Sequence, residues 1–150
     1  SLFAATPPWE AIKLLFSLAV SQSRGWTHAK DKGKKIEVID VRRAYFYACA
    51  RRNVFIELPE EDSQPCMCGE LYKSMYGTRD TANIWELEYC EFLISIGFAR
   101  GKSVPCSFHH AKRDMCLVVH GDDFTILGYE GDLDWLNSRW RRSSQLKAPE

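Results

Sequence analysis

The sequence predicts an α+β fold, an antiparallel sheet backed by helices, in one domain that covers residues 1–150. Helix-like and strand-like segments follow one another irregularly, whereas a parallel α/β fold would alternate them regularly. Two strand-like segments near the C-terminal end are separated by a turn with two central residues, which predicts an antiparallel hairpin. Hydrophobic residues make up 45% of the chain and charged residues 27%, as in a globular protein with a core.

The order of the elements follows from hydrophobic periodicity and from the positions of Gly and Pro. Helices are predicted from Pro8 to Gly25, from Asp80 to Ile96 with Gly97 as the C-terminal cap, and from Leu133 to Arg142. Residues 42–52 are predicted to form one or two helical turns. Strands are predicted at 36–41, 54–58, within 66–76, and at 106–111, 115–119 and 124–127. The first of these strands is almost continuously apolar, and we expect it to be buried.

Composition excludes several classes of protein. The 20 basic and 20 acidic residues give a formal net charge of zero, so contact with nucleic acid must depend on local basic clusters such as 42–43, 51–52 and 139–142. The most apolar stretch, residues 14–23, is well short of the ~20 residues that a membrane span needs, and we expect no membrane partner. No signal peptide is visible. The chain begins at Ser1 instead of Met, and we expect it to be a piece of a longer protein.

The six cysteines allow two interpretations. Without a secretory signal, scattered Cys residues within apolar runs are typical of reduced, buried thiols. The alternative is a zinc site formed by Cys66, Cys68, Cys106 and His109, in which the Cys-x-Cys spacing is tight for tetrahedral coordination.

The predicted hairpin carries two adjacent acidic residues, Asp122 and Asp123, at its turn. Gly121 stands at the first central position, as a type II′ turn requires. An acidic turn is usually just solvated. Asp40, however, lies in an apolar run where a carboxylate would need a cation or a donor. If its strand pairs beside the hairpin, three carboxylates meet and could hold Mg²⁺; a plain ion pair of Asp40 with Arg42 or Arg43 is the alternative.

Four segments, in the same order and with similar spacing, resemble reverse transcriptases of copia-type retrotransposons. Residues 119–124, Val-His-Gly-Asp-Asp-Phe, resemble the Tyr-x-Asp-Asp box. Residues 39–46, Ile-Asp-Val-Arg-Arg-Ala-Tyr-Phe, resemble the first catalytic motif. Residues 71–85 are similar to the Leu-Tyr-Gly-Leu-Lys-Gln-Ala-Pro-Arg-Ala-Trp signature, and residues 98–106 to the Gly-Phe segment that follows it and ends in Ser-Asp-Pro-Cys. The resemblance extends from about Phe3 to Leu146.

The resemblance implies a polymerase palm with part of the fingers, without thumb or ribonuclease H domain. It implies catalytic and metal-ligating roles for Asp40, Asp122 and Asp123, with the backbone carbonyl of Val41 as a further ligand. A nucleotide-binding group is implied as well: Tyr45, Phe46, Gly77, Arg79 and Asp80. Tyr45 would lie under the incoming sugar and clash with a 2′-hydroxyl. Three residues depart from the family pattern: His120 replaces Tyr, Asp80 replaces Gln, and Ala82 replaces Pro. An acidic Asp80 would repel a triphosphate unless Arg79 or a metal screens it.

The implied function is RNA-directed DNA polymerase activity with two Mg²⁺ ions, or Mn²⁺ in their place. The implied partners are an RNA template, a DNA primer, a deoxynucleoside triphosphate, and the ribonuclease H and integrase domains of the same polyprotein. The implied location is the cytoplasm, in a virus-like particle, the nucleus, or both. Two alternatives remain open at this point: a degenerate, inactive polymerase fragment, and a non-enzymatic zinc-binding or RNA-binding module.

Overall fold

The computed structural model describes residues 6–21, 33–41 and 44–146, with side chains up to residue 142. Its helices are α1 (Trp9–Ser21), α2 (Thr81–Ser95) and α3 (Glu130–Leu146), and a 3₁₀ helix spans Ala44–Tyr47. Its strands are β1 (Lys35–Asp40), β2 (Phe55–Ile56), β3 (Gly69–Glu70), β4 (Ala99–Arg100), β5 (Ser107–His110), β6 (Met115–His120) and β7 (Asp123–Gly128). The α+β class predicted from the sequence is confirmed.

Five strands form one antiparallel sheet in the order β1-β7-β6-β5-β4. Strands β2 and β3 form a separate two-stranded ribbon. Successive side chains of a strand point to opposite faces, so each strand contributes to two layers. One face packs against α2 and α3 through a cluster that includes Trp85, Leu93, Phe124, Ile126 and Leu136. The other face packs against α1, where Leu15 meets Val118 and Leu127. The sheet is therefore covered by helices on both sides.

The end of α2 follows the prediction closely. Gly97 has a φ of +103°, its N–H donates to the carbonyl of Ile94 at 3.0 Å, and the N–H of Phe98 donates to the carbonyl of Leu93 at 3.0 Å. This pair of bonds is the Schellman motif. Helix α2 thus ends where the sequence predicts, and the chain turns directly into β4.

Other predicted bounds need correction. Strand β1 is not buried: it is an edge strand of the sheet, and Val38 is 61% exposed. The strand predicted at 54–58 shrinks to two residues, because it pairs only with the equally short β3. Helix α3 extends beyond the predicted 133–142 at both ends. Its first turn contains Glu130 and Asp132, whose negative charges interact favourably with the positive N-terminal end of the helix dipole. Gly25, the predicted end of the first helix, lies outside the described residues.

No helix among the described residues combines the length and the apolar character needed to cross a membrane.

Candidate active site

The hairpin between β6 and β7 presents Asp122 and Asp123 at one end of the five-stranded sheet. His120 and Asp123 are paired in the ladder, so Gly121 and Asp122 are the two central residues of the turn. Gly121 has a φ of +66°, whereas Asp122 is not among the described residues with positive φ. A positive φ at the first central position alone fits a type II′ turn. A Cβ on Gly121 would meet nothing within 4 Å, so this position demands Gly for backbone conformation and not for space.

Strand β1 brings Asp40 to the same end. Asp40 and Asp123 are direct partners in the antiparallel ladder of β1 and β7. Such partners have Cα atoms about 4.5–5.5 Å apart and side chains on the same face. One residue further, the N–H of Val41 donates to the carbonyl of Asp122 at 3.1 Å. The register therefore brings the backbone positions of Asp40, Asp122 and Asp123 to one end of the sheet. The meeting of their carboxylates and their roles stay predictions.

The sequence analysis assumed that Asp40 is buried and needs a cation or a donor, and the structure corrects this assumption. Asp40 is exposed, as is Asp123, and Asp122 is half-buried. The prediction that Asp40 is buried is wrong, because β1 ends at the open edge of the sheet. None of the ion pairs between described residues involves the three aspartates. Arg42 and Arg43, the alternative partners of Asp40, lie outside the described residues.

The described residues contain no group of three or more His, Cys, Asp or Glu side chains arranged to hold a metal ion. For the zinc interpretation, Cys66 and Cys68 are exposed in a loop, Cys106 is buried, and His109 is exposed on β5. This arrangement gives the zinc interpretation no support. For magnesium the requirement is different, because Mg²⁺ keeps several waters and is usually held by one or two carboxylates together with substrate phosphates.

Val41 contributes its backbone to this site. Its carbonyl accepts the N–H of Ala44 at 3.1 Å, at the start of the 3₁₀ helix. A carbonyl oxygen has two lone pairs, so one hydrogen bond leaves room for a second interaction.

An anchor that the sequence analysis did not assign holds the hairpin in place. The indole Nε1 of Trp85, on α2, donates to the carbonyl of Gly121 at 3.0 Å. The Trp85 ring is 4% exposed and packs edge-on against Phe124, with ring centroids 6.3 Å apart. Trp85 is the last residue of the segment 71–85 that resembles the family signature, but nothing local to the helix indicates a bond to a remote turn.

Three aromatic residues are joined by ring contacts, and we call Tyr45, Phe46 and Tyr76 the aromatic cluster. The Tyr45 and Tyr76 rings meet edge-on, with centroids 4.5 Å apart and an interplanar angle of 78°. The Phe46 ring lies 5.6 Å from that of Tyr76. Burial raises the pKa of Tyr45, and the charge of Asp122 raises it further. Burial also raises the pKa of Tyr76, with further contributions from Asp122 and Asp40. Asp122 therefore acts electrostatically on both phenols.

Tyr76 was missed as a site residue by the sequence analysis, although it immediately precedes Gly77. Gly77 has a φ of +87°, and the N–H of Thr78 donates to the carbonyl of Met75 at 3.2 Å. This is the pattern of a type II turn with Tyr76 at its second position. The Thr81 hydroxyl also donates to the Met75 carbonyl, at 2.6 Å, which ties the turn to the first residue of α2. The fixed turn sets the direction in which Tyr76 leaves the chain.

Asp80 has a partner that the sequence did not predict. The Arg52 guanidinium donates to both carboxylate oxygens of Asp80, at 2.9 Å and 3.1 Å. These bonds hold the pKa of Asp80 below its usual value. Arg79, the predicted screen, is exposed, and the screening cation is Arg52. Asp80 is the N-cap residue of α2, so the ion pair lies at the start of this helix.

The fold and the site together define an α+β domain with a carboxylate-bearing hairpin at one end of its sheet. The chain is 22% identical over 138 residues to the retrovirus-related Pol polyprotein from transposon TNT 1-94 of Nicotiana tabacum, which covers 88% of the chain and 10% of that protein. It is 26% identical over 111 residues to the corresponding polyprotein from transposon RE1 of Arabidopsis thaliana, covering 70% of the chain and 8% of that protein.

The chain therefore spans about a tenth of the length of the curated relatives it matches. No protein-family model and no solved structure matches it. The relatives are retrotransposon Pol polyproteins, and the chain is similar to one segment of them.

Proposed function

We propose that this chain is the palm, with part of the fingers, of a retrotransposon reverse transcriptase, and that it catalyses RNA-directed DNA synthesis. The observation that supports the proposal is the direct pairing of Asp40 with Asp123 and the bond from Val41 to Asp122, which bring the backbones of three acidic residues to one sheet end. In this reaction a bond forms between the primer 3′-oxygen and the α-phosphorus of a deoxynucleoside triphosphate. The bond from that phosphorus to the β-phosphate oxygen breaks, pyrophosphate leaves, and the hydroxyl proton passes to solvent.

The donor set fits Mg²⁺, or Mn²⁺ in its place. Asp40, Asp122 and Asp123 offer hard oxygen donors that are solvent-accessible, so waters and phosphates can complete the coordination. When bound, a pair of such ions lowers the pKa of the attacking hydroxyl and stabilises the leaving oxygen. The adjacent negative charges of the carboxylates repel one another, and divalent cations relieve that repulsion.

The chain's own residues supply positioning. The charge of Asp122 raises the pKa of Tyr45 after the larger effect of burial. In the proposed function the Tyr45 ring packs under the sugar of the incoming nucleotide and leaves no room for a 2′-hydroxyl. The Arg52–Asp80 pair is a neutral unit at the start of α2, so Asp80 does not confront the triphosphate as an isolated charge. Trp85 fixes the hairpin through the Gly121 carbonyl. Holding reactants in one geometry is the main contribution that the protein makes to phosphoryl-type transfer.

The proposed partners are an RNA template and a DNA primer, gripped through their backbones because the enzyme must copy any sequence. Three basic residues of α3 are exposed and are the proposed contacts: Arg139, Arg141 and Arg142. Ribonuclease H and integrase domains of the same polyprotein are further proposed partners. The proposed location is a cytoplasmic virus-like particle, the nucleus, or both.

Primer extension on an RNA template tests this proposal. Wild-type polypeptide that contains residues 1–150 should extend a labelled DNA primer in the presence of Mg²⁺. Asp122→Asn removes one negative charge without changing shape, and we expect extension to fall on the order of a hundredfold or more. Asp134→Asn makes the same change at an exposed position of α3 and should leave extension unchanged.

The same preparations separate the alternatives. Circular dichroism spectra that match for wild type and Asp122→Asn show that a loss of extension is chemical and not a loss of fold. A folded wild-type protein that extends no primer contradicts the proposal and favours the inactive fragment. Stoichiometric zinc in the purified protein would instead favour the zinc-binding module.

A further inference from the structure

Tyr76 is the one member of the aromatic cluster that contacts both other rings. Its edge-on contact with Tyr45 has a centroid distance of 4.5 Å, and its tilted contact with Phe46 has a centroid distance of 5.6 Å. The 3₁₀ helix of Tyr45 and Phe46 and the type II turn of Tyr76 are separate segments, and the ring contacts of Tyr76 join them. Without Tyr76, the Tyr45 ring would lose this neighbour.

Tyr76 is also held firmly enough to act as a support. Gly77 gives the turn its positive φ, and the Met75 carbonyl accepts hydrogen bonds from the Thr78 N–H and the Thr81 hydroxyl. Tyr76 is 44% exposed, so no close packing from the core explains a large aromatic side chain at this position. Burial raises the pKa of its phenol, and the charges of Asp122 and Asp40 raise it further.

We infer that Tyr76 is a positioning residue that fixes the Tyr45 ring and thereby sets the discrimination between deoxynucleotides and ribonucleotides. The inference rests on the proposed polymerase function and extends it to a residue outside the predicted site. Tyr76 acts through its ring and not through its hydroxyl, because the contact with Tyr45 is between rings. An aromatic pair of this geometry corresponds to a factor of about two to ten in an equilibrium or rate ratio.

Three variants of polypeptides that contain residues 1–150 test the inference. Tyr76→Leu removes the ring, Tyr76→Phe keeps the ring without the hydroxyl, and Tyr72→Leu makes the same change at a residue that is 79% exposed and has no ring contact among the described residues. The measurement is single-nucleotide primer extension with a deoxynucleotide and the matching ribonucleotide, giving kcat and KM for each. The discrimination ratio is kcat/KM for the deoxynucleotide divided by that for the ribonucleotide.

We expect Tyr76→Leu to lower the discrimination ratio about two- to tenfold, and Tyr76→Phe and Tyr72→Leu to leave it at the wild-type value. A general loss of structure would reduce kcat/KM for both nucleotides equally and leave the ratio unchanged, so the ratio isolates positioning from stability. A second measurement uses a fluorine label on the Tyr45 ring: its NMR resonance should move in Tyr76→Leu and stay in place in Tyr76→Phe.

An unchanged ratio in Tyr76→Leu, with a wild-type enzyme that extends primers, overturns the inference and leaves the polymerase proposal standing. A ratio that falls equally in Tyr76→Phe also overturns it, because the hydroxyl and not the ring would then be responsible. A folded wild-type protein that extends no primer overturns the proposed function and this inference together.

Discussion

Trp85→Phe tests whether the hairpin depends on its anchor on α2. The substitution removes the N–H that donates to the Gly121 carbonyl at 3.0 Å and shrinks a ring that is 4% exposed. The lost hydrogen bond costs about 1 kcal/mol, and the partly filled cavity costs a further ~1–2 kcal/mol. We therefore expect the free energy of unfolding to fall by about 2–3 kcal/mol. For a chain of this size, that lowers Tm by roughly 4–12 °C.

Thermal and urea unfolding, followed by circular dichroism, measure this change. Trp9→Phe is the matched control, because Trp9 is 75% exposed on α1 and its truncation should change stability by less than about 0.5 kcal/mol. Amide hydrogen exchange adds local information: the Val41 N–H, which donates to Asp122, should exchange faster in Trp85→Phe, and more so than the Leu117 N–H in the middle of the sheet. A Tm within 1–2 °C of wild type, at about the precision of such measurements, would refute the reasoning.

Two other substitutions probe the frame around the site. Gly97→Ala should destabilise the fold by about 2 kcal/mol in urea unfolding, because φ is +103° and the new Cβ would lie 3.0 Å from His110 Nε2. The control is Gly131→Ala on α3, where the new Cβ meets nothing within 4 Å and the change should be neutral or stabilising. Equal effects of the two substitutions on the free energy of unfolding would contradict this. Asp80→Asn should lower the free energy of unfolding slightly at pH 7, because it breaks the ion pair with Arg52. Because Arg52 lowers the folded-state pKa of Asp80, that difference should persist above pH ~4 and vanish as the pH falls further, and a difference that grows in acid would contradict the pairing.

Local signals in the sequence predicted most of the elements. The apolar spacing and Gly97 fixed the extent of α2, and Gly121 between two apolar runs located the hairpin, because periodicity and positive φ are properties of neighbouring residues. The burial of β1 could not be predicted in this way. Val38 lies in an almost continuous apolar run, yet it is exposed because β1 is at the edge of the sheet. Strand order depends on pairing between remote segments.

The residues of the candidate site also divide into those with a local sequence signal and those placed by contacts between remote segments. The turn sequence around Gly121 identifies Asp122 and Asp123, and the interruption of an apolar run identifies Asp40. The partners that position this site are non-local: Arg52 reaches Asp80, Trp85 reaches Gly121, and Tyr76 reaches Tyr45. Each of these side chains has an ordinary local explanation as a surface cation, a core aromatic or a turn residue. Their roles emerge only when the fold brings the segments together.

The exposure of the carboxylates is consistent with the proposed chemistry and with the absence of a three-residue metal group among the described side chains. A closed protein cage would satisfy the metal without substrate, whereas a polymerase needs coordination positions that phosphates and the primer oxygen can occupy. Placing Asp40 at the end of an edge strand, opposite Asp123, leaves one side of the carboxylates open to a large substrate. The aromatic cluster and the Trp85 anchor then supply rigidity from the protein side. Asp40 is exposed because it lies at the open edge of the sheet, and a nucleic acid polymerase would require such an open edge for its substrate.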